Sequence, residues 1–77
     1  MKEVAVICPL YRDYQYWLRE NQKPGETYTF VDHIKPVLGK RFDRVEKIYR
    51  HEEIKELDEI LEYLESHMRT IKDEDRK

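Results

Sequence analysis

The chain opens with a continuous apolar run at residues 4–8, VAVIC, and a segment with helical periodicity follows. Such a run is typical of a strand that is covered on both faces, as strands of parallel sheets are. From Arg12 onward, apolar side chains recur three and four positions apart, which predicts an amphipathic helix. The apolar stripe of this helix comprises Leu10, Tyr14, Trp17 and Leu18. Asn21 and the turn Lys23-Pro24-Gly25 end it.

A second strand is predicted at residues 28–31, YTFV, because all four residues favour strands and Gly25 and Asp32 bracket them. Residues 33–38 contain a proline and end before Gly39, which indicates a loop or a single helical turn. A weaker third strand is predicted at residues 42–49, whose charged residues suit a solvent-exposed edge.

The strongest periodic signal lies at residues 52–68, where a long final helix is predicted. Its apolar stripe comprises Ile54, Leu57, Ile60, Leu61, Leu64 and Met68. A helix of this length spans about 25 Å and would overhang strands of roughly 17–20 Å, so we expect it to offer an apolar surface to a partner. Residues 72–77 carry no apolar side chain and are expected to be a disordered charged tail on a single domain of residues 1–71.

The element order β-α-β-loop-β-α predicts a minimal, Rossmann-like α/β fold. A strand, a helix and a second strand form a right-handed crossover with parallel strands. We therefore expect a three-stranded parallel sheet in the order 2-1-3, with the most apolar strand in the centre and a long C-terminal helix.

Composition narrows the possible functions. The 77 residues carry a net charge of −2, which predicts no strong attraction of the whole molecule to nucleic acid or to an anionic membrane. The single cysteine, Cys8, cannot form an internal disulfide, and no stretch approaches the roughly 18 apolar residues of a membrane span. We expect a cytoplasmic protein with no membrane association.

The turn after the first strand lies where many α/β proteins bind phosphate, but its residues do not suit that role. Pro9 removes a backbone N–H, Leu10 and Tyr11 are bulky, and the glycines of nucleotide-binding loops are absent. Only Arg12 has anion-binding character, and an ordinary surface arginine explains it better than a phosphate ligand does. Gly39-Lys40 indicates a turn.

No constellation of catalytic or metal-binding residues stands out. His33, His51 and His67 lack the local spacing of metal ligands, although Asp32-His33 and His51-Glu52 could meet if the ends of the second and third strands converge. Cys8 is expected to be a core residue, and Ser66 is the only serine. We predict no catalytic residue, no metal and no cofactor.

Charge is strongly polarised along the chain. Residues 33–50 carry six basic and two acidic side chains, and residues 52–65 carry seven acidic side chains and one lysine. The basic segment could contact nucleic acid through Lys40, Arg41, Arg44, Lys47 and Arg50, with Phe42 and Tyr49 interleaved. The acidic helix could bind a basic protein surface through Glu56, Glu59 and Glu62. Alternatively, the two faces only interact with solvent or pair with each other in a dimer.

A resemblance to known proteins rests on the order of the elements, residues 14–21 (YQYWLREN), residues 28–31 and residues 38–45 (LGKRFDRV). The chain resembles small uncharacterised α/β proteins of bacteriophages and prophages, in which a Gly-basic-basic-Phe-Asp turn precedes the last strand. The resemblance implies a nucleotide-binding core reduced to three strands without its phosphate loop, and it transfers no catalytic residue.

These observations favour a non-enzymatic protein of phage type that acts by binding another protein, such as a host factor or a defence protein that it inhibits. Self-association into a homodimer through the final helix is the first expectation. The residues predicted to bind are the apolar Leu57, Leu61, Leu64 and Met68 and the acidic Glu56, Glu59 and Glu62. A nucleic-acid-binding accessory protein and a remnant of a nucleotide-binding protein are the alternatives.

Overall fold

A computed structural model describes residues 1–67 of the chain. Met68 and the tail at residues 72–77, for which the sequence predicts partner contact and disorder, lie outside the described residues. Within them the chain forms three strands and two α-helices, with two short 3-10 turns in the connections.

The sheet confirms the predicted topology. β1 (Lys2–Ile7) is the central strand, and β2 (Glu26–Val31) and β3 (Arg44–Lys47) pair with it in parallel, in the order β2-β1-β3. The most apolar strand occupies the centre because its side chains are fully buried on both faces, from Val4 to Ile7.

One helix covers each face of the sheet. α1 (Tyr11–Asn21) packs on the face that carries Val4, Val6 and Cys8, and α2 (Leu57–Ser66) packs on the face that carries Ala5 and Ile7. Alternate side chains of β1 point to opposite faces of the sheet. In this three-layer arrangement, each set therefore packs into a separate apolar cluster.

The final helix begins later than its sequence pattern predicts. Its first predicted turn is instead a 3-10 turn, His51–Glu53, after which Ile54 is extended with φ −73° and ψ 125°. Ile54 is 7% exposed, so the extended segment places its side chain in the core. The ten described residues of α2 span about 15 Å, so this part of the helix is shorter than β1, which spans about 20 Å.

The connection between β2 and β3 is ordered by core contacts. A 3-10 turn, Lys35–Val37, buries Val37 completely, and Gly39 follows it with φ +76°, a conformation that glycine adopts without strain. Phe42 is fully buried, although the sequence suggested a strand residue that could stack on bases. The third strand is thus four residues long, shorter than the predicted span of 42–49.

Candidate protein-binding surface

A groove separates the 3-10 turn at Lys35–Val37 from helix α2, and we call it the acidic groove. It has a volume of about 420 Å³. Its lining combines apolar, aromatic and acidic side chains: Ile34, Leu38, Glu59, Glu62, Tyr63, Ser66 and His67. Leu38 is 52% exposed, so one wall presents an apolar side chain directly to solvent.

Two hydrogen bonds hold the walls of the acidic groove together. The backbone N–H of Gly39 donates to the hydroxyl oxygen of Tyr63 over 2.7 Å. The N–H of Ile34 donates to the carboxylate of Glu56 over 2.8 Å. Glu56, predicted as a binding residue, therefore fixes the turn against the start of α2.

An aromatic pair lines one side of the groove. The rings of Tyr63 and His67 stack with centroids 4.0 Å apart and an angle of 12° between their planes. Nδ1 of His67 lies 2.8 Å from the carbonyl oxygen of Tyr63, which fixes the orientation of the imidazole. The stacking and this contact hold both rings in fixed orientations, with one face of each ring covered by the other.

Negative charge is concentrated beside this surface. α2 contains Asp58, Glu59, Glu62 and Glu65 and no basic residue. Within residues 1–67, neither Glu59 nor Glu62 forms an ion pair, and both are exposed. The structure thus places two of the predicted acidic residues, Glu59 and Glu62, in the lining of the acidic groove.

The apolar residues predicted for partner contact divide between core and surface. Leu64 is only 2% exposed and belongs to the core, so it does not present a binding surface. Leu57 and Leu61 are partly buried and pack against the same core. The sequence could not separate these roles because one stripe serves both.

The basic residues predicted for nucleic-acid contact do not form one surface. Lys40 and Arg41 are exposed at the end of the sheet where β3 begins. Arg50 lies beyond the opposite end of β3, and the strand between them is about 13 Å long. Arg44 bonds to Glu26 and Glu46, and Arg50 bonds to Glu53 over 3.1 Å. Lys47 is exposed on β3.

A second groove, of about 270 Å³, lies at the carboxyl ends of β1 and β2, where ligands of open parallel sheets bind. It is lined by Pro9, Asp32, His33, Glu53, Ile54, Lys55 and Glu56. The lining carries three carboxylates and one lysine, so its negative charge disfavours the binding of a phosphate group. Arg12 is not among these residues and lies with Gln15, Tyr16 and Arg19 on the surface of α1.

The histidines do not converge. Nδ1 of His33 hydrogen-bonds to the carboxylate of Asp32, whereas Nδ1 of His51 lies 3.2 Å from the carbonyl oxygen of Ile48. Among the residues that the structure describes, no group of three or more potential ligands could hold a metal ion.

Cys8 is a core residue, as predicted. Its side chain is fully buried and its thiol donates to the carbonyl oxygen of Leu10 over 3.3 Å. Burial raises the pKa of Cys8 to about 11, which keeps the thiol protonated and unreactive at neutral pH.

Sequence reasoning missed a cleft of about 300 Å³ between α1 and the segment after β3. Its lining residues are Asp13, Tyr16, Trp17, Glu20, Asn21 and Tyr49. The α1 members recur three and four positions apart, a spacing that could have indicated a shared helix face, but nothing local connects them with Tyr49.

No protein-family model, curated protein or solved structure matches the chain. No helix within residues 1–67 combines the length and the apolar content needed to cross a membrane.

Proposed function

We propose that the protein acts by binding another protein, without catalysis, through the acidic groove. The observation that carries the proposal is the position of Glu59 and Glu62 beside exposed Leu38 and the stacked Tyr63–His67 pair. Protein interfaces commonly combine aromatic anchors near the centre with a polar rim.

The partner that fits is a protein segment with basic and apolar side chains. Lysine or arginine would pair with the two carboxylates, and an apolar side chain would lie between Leu38 and Tyr63. The resemblance to phage proteins favours a bacterial host protein as the source of this segment. Binding a basic host surface would block whatever acidic ligand that surface normally holds.

A peptide-binding experiment tests the groove directly. The probe is a fluorescent peptide of alternating lysine and leucine, with a matched peptide of alternating glutamate and leucine as the comparison. We expect fluorescence anisotropy to show binding of the basic peptide only, and Glu59→Lys with Glu62→Lys to abolish it while the melting temperature is maintained.

The control variant carries the same change of charge elsewhere. Glu20→Lys with Glu52→Lys alters two exposed carboxylates outside the acidic groove and should leave peptide binding unchanged. Equal loss of binding in both double variants would show an effect of net charge alone and would contradict the proposal. The same pair of variants then tests capture of the host protein.

Nucleic-acid binding is a second candidate because Lys40 and Arg41 are adjacent, exposed and without an ion-pair partner among the described residues. A single-stranded DNA oligonucleotide at low salt is the probe. Binding that Lys40→Ala with Arg41→Ala weakens, with a smaller dependence on salt, would support this candidate. Absence of binding at low salt would exclude it.

A further inference from the structure

The cleft between α1 and the segment after β3 combines aromatic and acidic side chains, and we call it the aromatic cleft. It has a volume of about 300 Å³. Its aromatic members are Tyr16, Trp17 and Tyr49, and its acidic members are Asp13 and Glu20. Tyr16, Trp17 and Glu20 lie three, four and seven positions after Asp13, so these four residues share one face of α1.

The order of these residues along α1 places two aromatic rings between two carboxylates. Asp13 lies in the first turn of the helix, and Tyr16 and Trp17 follow one turn later. Glu20 lies two turns after Asp13, which is about 10 Å along the helix axis. A ligand that contacts both carboxylates must therefore be elongated, and it must pass over the rings.

The two carboxylates of the aromatic cleft are not neutralised. Within residues 1–67, neither Asp13 nor Glu20 forms an ion pair. None of the described residues that line the cleft is basic. The guanidinium carbon of Arg19 lies 5.5 Å from the ring centroid of Tyr16, and Arg19 lines a neighbouring part of the surface together with Arg12. The lining therefore carries two negative charges and favours a cation.

Contacts with the core hold the aromatic side chains in place. Trp17 packs against the apolar cluster under α1, and its ring meets that of Tyr28 edge-on, with centroids 5.8 Å apart. Ile48 packs against the same cluster, and its N–H donates to a carbonyl oxygen of β1 over 3.1 Å, which positions the adjacent Tyr49. Tyr16 and Tyr49 are more than half exposed, so part of each ring is available to a ligand.

We propose that the aromatic cleft binds a linear aliphatic polyamine, a chain of methylene groups that carries several ammonium groups. Two ammonium groups pair with Asp13 and Glu20, and the methylene chain between them packs on the rings. A single exposed ion pair contributes little, but a ligand that carries both charges forms the second pair intramolecularly. Ammonium groups are also attracted to the faces of aromatic rings.

Asn21 supplies a further acceptor at the end of the cleft that contains Glu20. Its side-chain N–H donates to the carbonyl oxygen of Trp17 over 2.8 Å, which leaves its side-chain oxygen to accept from an ammonium group. The aromatic cleft lies on the α1 face of the sheet, and the acidic groove lies on the α2 face. The proposal therefore does not depend on the proposed function, and either can fail without the other.

The fluorescence of Trp17 reports on the cleft directly, because Trp17 is the only tryptophan of the chain. The probe is spermidine, titrated at constant ionic strength, and isothermal titration calorimetry measures the stoichiometry. Butylamine carries one ammonium group on the methylene chain of a lysine side chain, and magnesium chloride supplies a divalent cation without methylene groups. We expect saturable binding of one spermidine, with an affinity about tenfold or more above those of butylamine and magnesium.

Variants assign the binding to the carboxylates and the rings. Asp13→Asn with Glu20→Gln removes both charges with little change of shape, and the dissociation constant for spermidine should rise about tenfold or more. Tyr49→Ala removes one exposed ring and should raise it severalfold. The matched control, Glu59→Gln with Glu62→Gln, removes two charges from the acidic groove and should bind spermidine like the unmodified protein. Circular dichroism checks that each variant is folded.

Four results would overturn the proposal. Absence of both a fluorescence change and heat with spermidine would exclude the site. Butylamine binding as tightly as spermidine would show a site for a single ammonium group, such as a lysine side chain, and equal binding of magnesium would show an effect of charge alone. Equal weakening in the carboxylate variant and its control would reduce the effect to net charge. Unchanged affinity in Tyr49→Ala would contradict the contribution of that ring.

Discussion

The guanidinium of Arg44 in β3 reaches across the central strand and donates two hydrogen bonds, of 2.8 and 3.1 Å, to the carboxylate of Glu26 in β2. Tyr28 also donates to that carboxylate over 2.6 Å, and the N–H of Lys23 donates to the Tyr28 hydroxyl over 2.8 Å. The two outer strands, β2 and β3, are therefore connected by side chains across β1, in addition to the backbone ladder. The side chain of Glu26 is only 10% exposed.

This network predicts a pH dependence of stability that Glu26 controls. The hydrogen bonds from Arg44 and then Tyr28 lower the pKa of Glu26 from 4.5 to about 2. Since the folded-state pKa lies below the unfolded value, the stabilisation is complete above pH 4.5 and is lost as the pH falls toward 2.

Urea unfolding from pH 7 to pH 2 checks this prediction. Glu26→Gln should be less stable than the unmodified protein at pH 7, and the difference should shrink as the pH falls below 4.5. Glu20→Gln changes an exposed carboxylate and serves as the control. A difference between Glu26→Gln and the unmodified protein that stays constant down to pH 2 would contradict the role of the ionised carboxylate.

Cys8 should resist chemical modification in the folded protein. Burial raises the pKa of its thiol to about 11, so at pH 8 only about one thiol in a thousand is ionised, and the side chain is also inaccessible. We expect iodoacetamide to label Cys8 at least about a hundredfold more slowly in buffer than in denaturing urea. Mass spectrometry measures both rates, with glutathione as the control, and equal rates would show that the core opens readily.

How far the sequence predicts the structure depends on whether the signal is local. The apolar run at residues 4–8 predicts the central strand correctly, because a strand buried on both faces needs no partner to be recognised. The predicted start of α2, at residue 52, is five residues too early. Ile54 fits the helical spacing, but Arg50 adopts φ +60° and Ile54 extends to reach the core.

The candidate site depends on contacts that no local pattern contains. Glu59 and Glu62 were identified from the charge of the helix, but the groove beside them lies between segments that only the tertiary fold brings together, such as Gly39 and Tyr63, which are 24 positions apart and form a hydrogen bond. Phe42 illustrates the same limit. Its basic neighbours suggested an exposed aromatic, and only the packing of the turn onto the sheet buries it.

Phe42 should be among the most important residues for stability. It is the largest fully buried side chain among the described residues, so its truncation would leave a large cavity. Phe42→Ala should lower the free energy of unfolding by about 3–5 kcal/mol, comparable to the whole stability of roughly 3–5 kcal/mol expected for a domain of this size.

Circular dichroism of Phe42→Ala should therefore show a largely unfolded chain at 25 °C. Tyr49→Ala removes a side chain that is 61% exposed and should keep the melting temperature within a few degrees. A well-folded Phe42→Ala protein would mean that this turn contributes little to the core.

The hydrogen bond between Gly39 and Tyr63 predicts a local effect on the acidic groove. Tyr63→Phe keeps the ring that stacks on His67 and removes only the oxygen that accepts the Gly39 N–H. Because water can replace this acceptor at an exposed amide, the loss of stability should be about 0.5–1 kcal/mol. The Gly39 amide should exchange its hydrogen about tenfold faster, and NMR measures that rate. Tyr49→Phe is the control, and unchanged exchange at Gly39 would show that the turn is held against α2 without the hydroxyl.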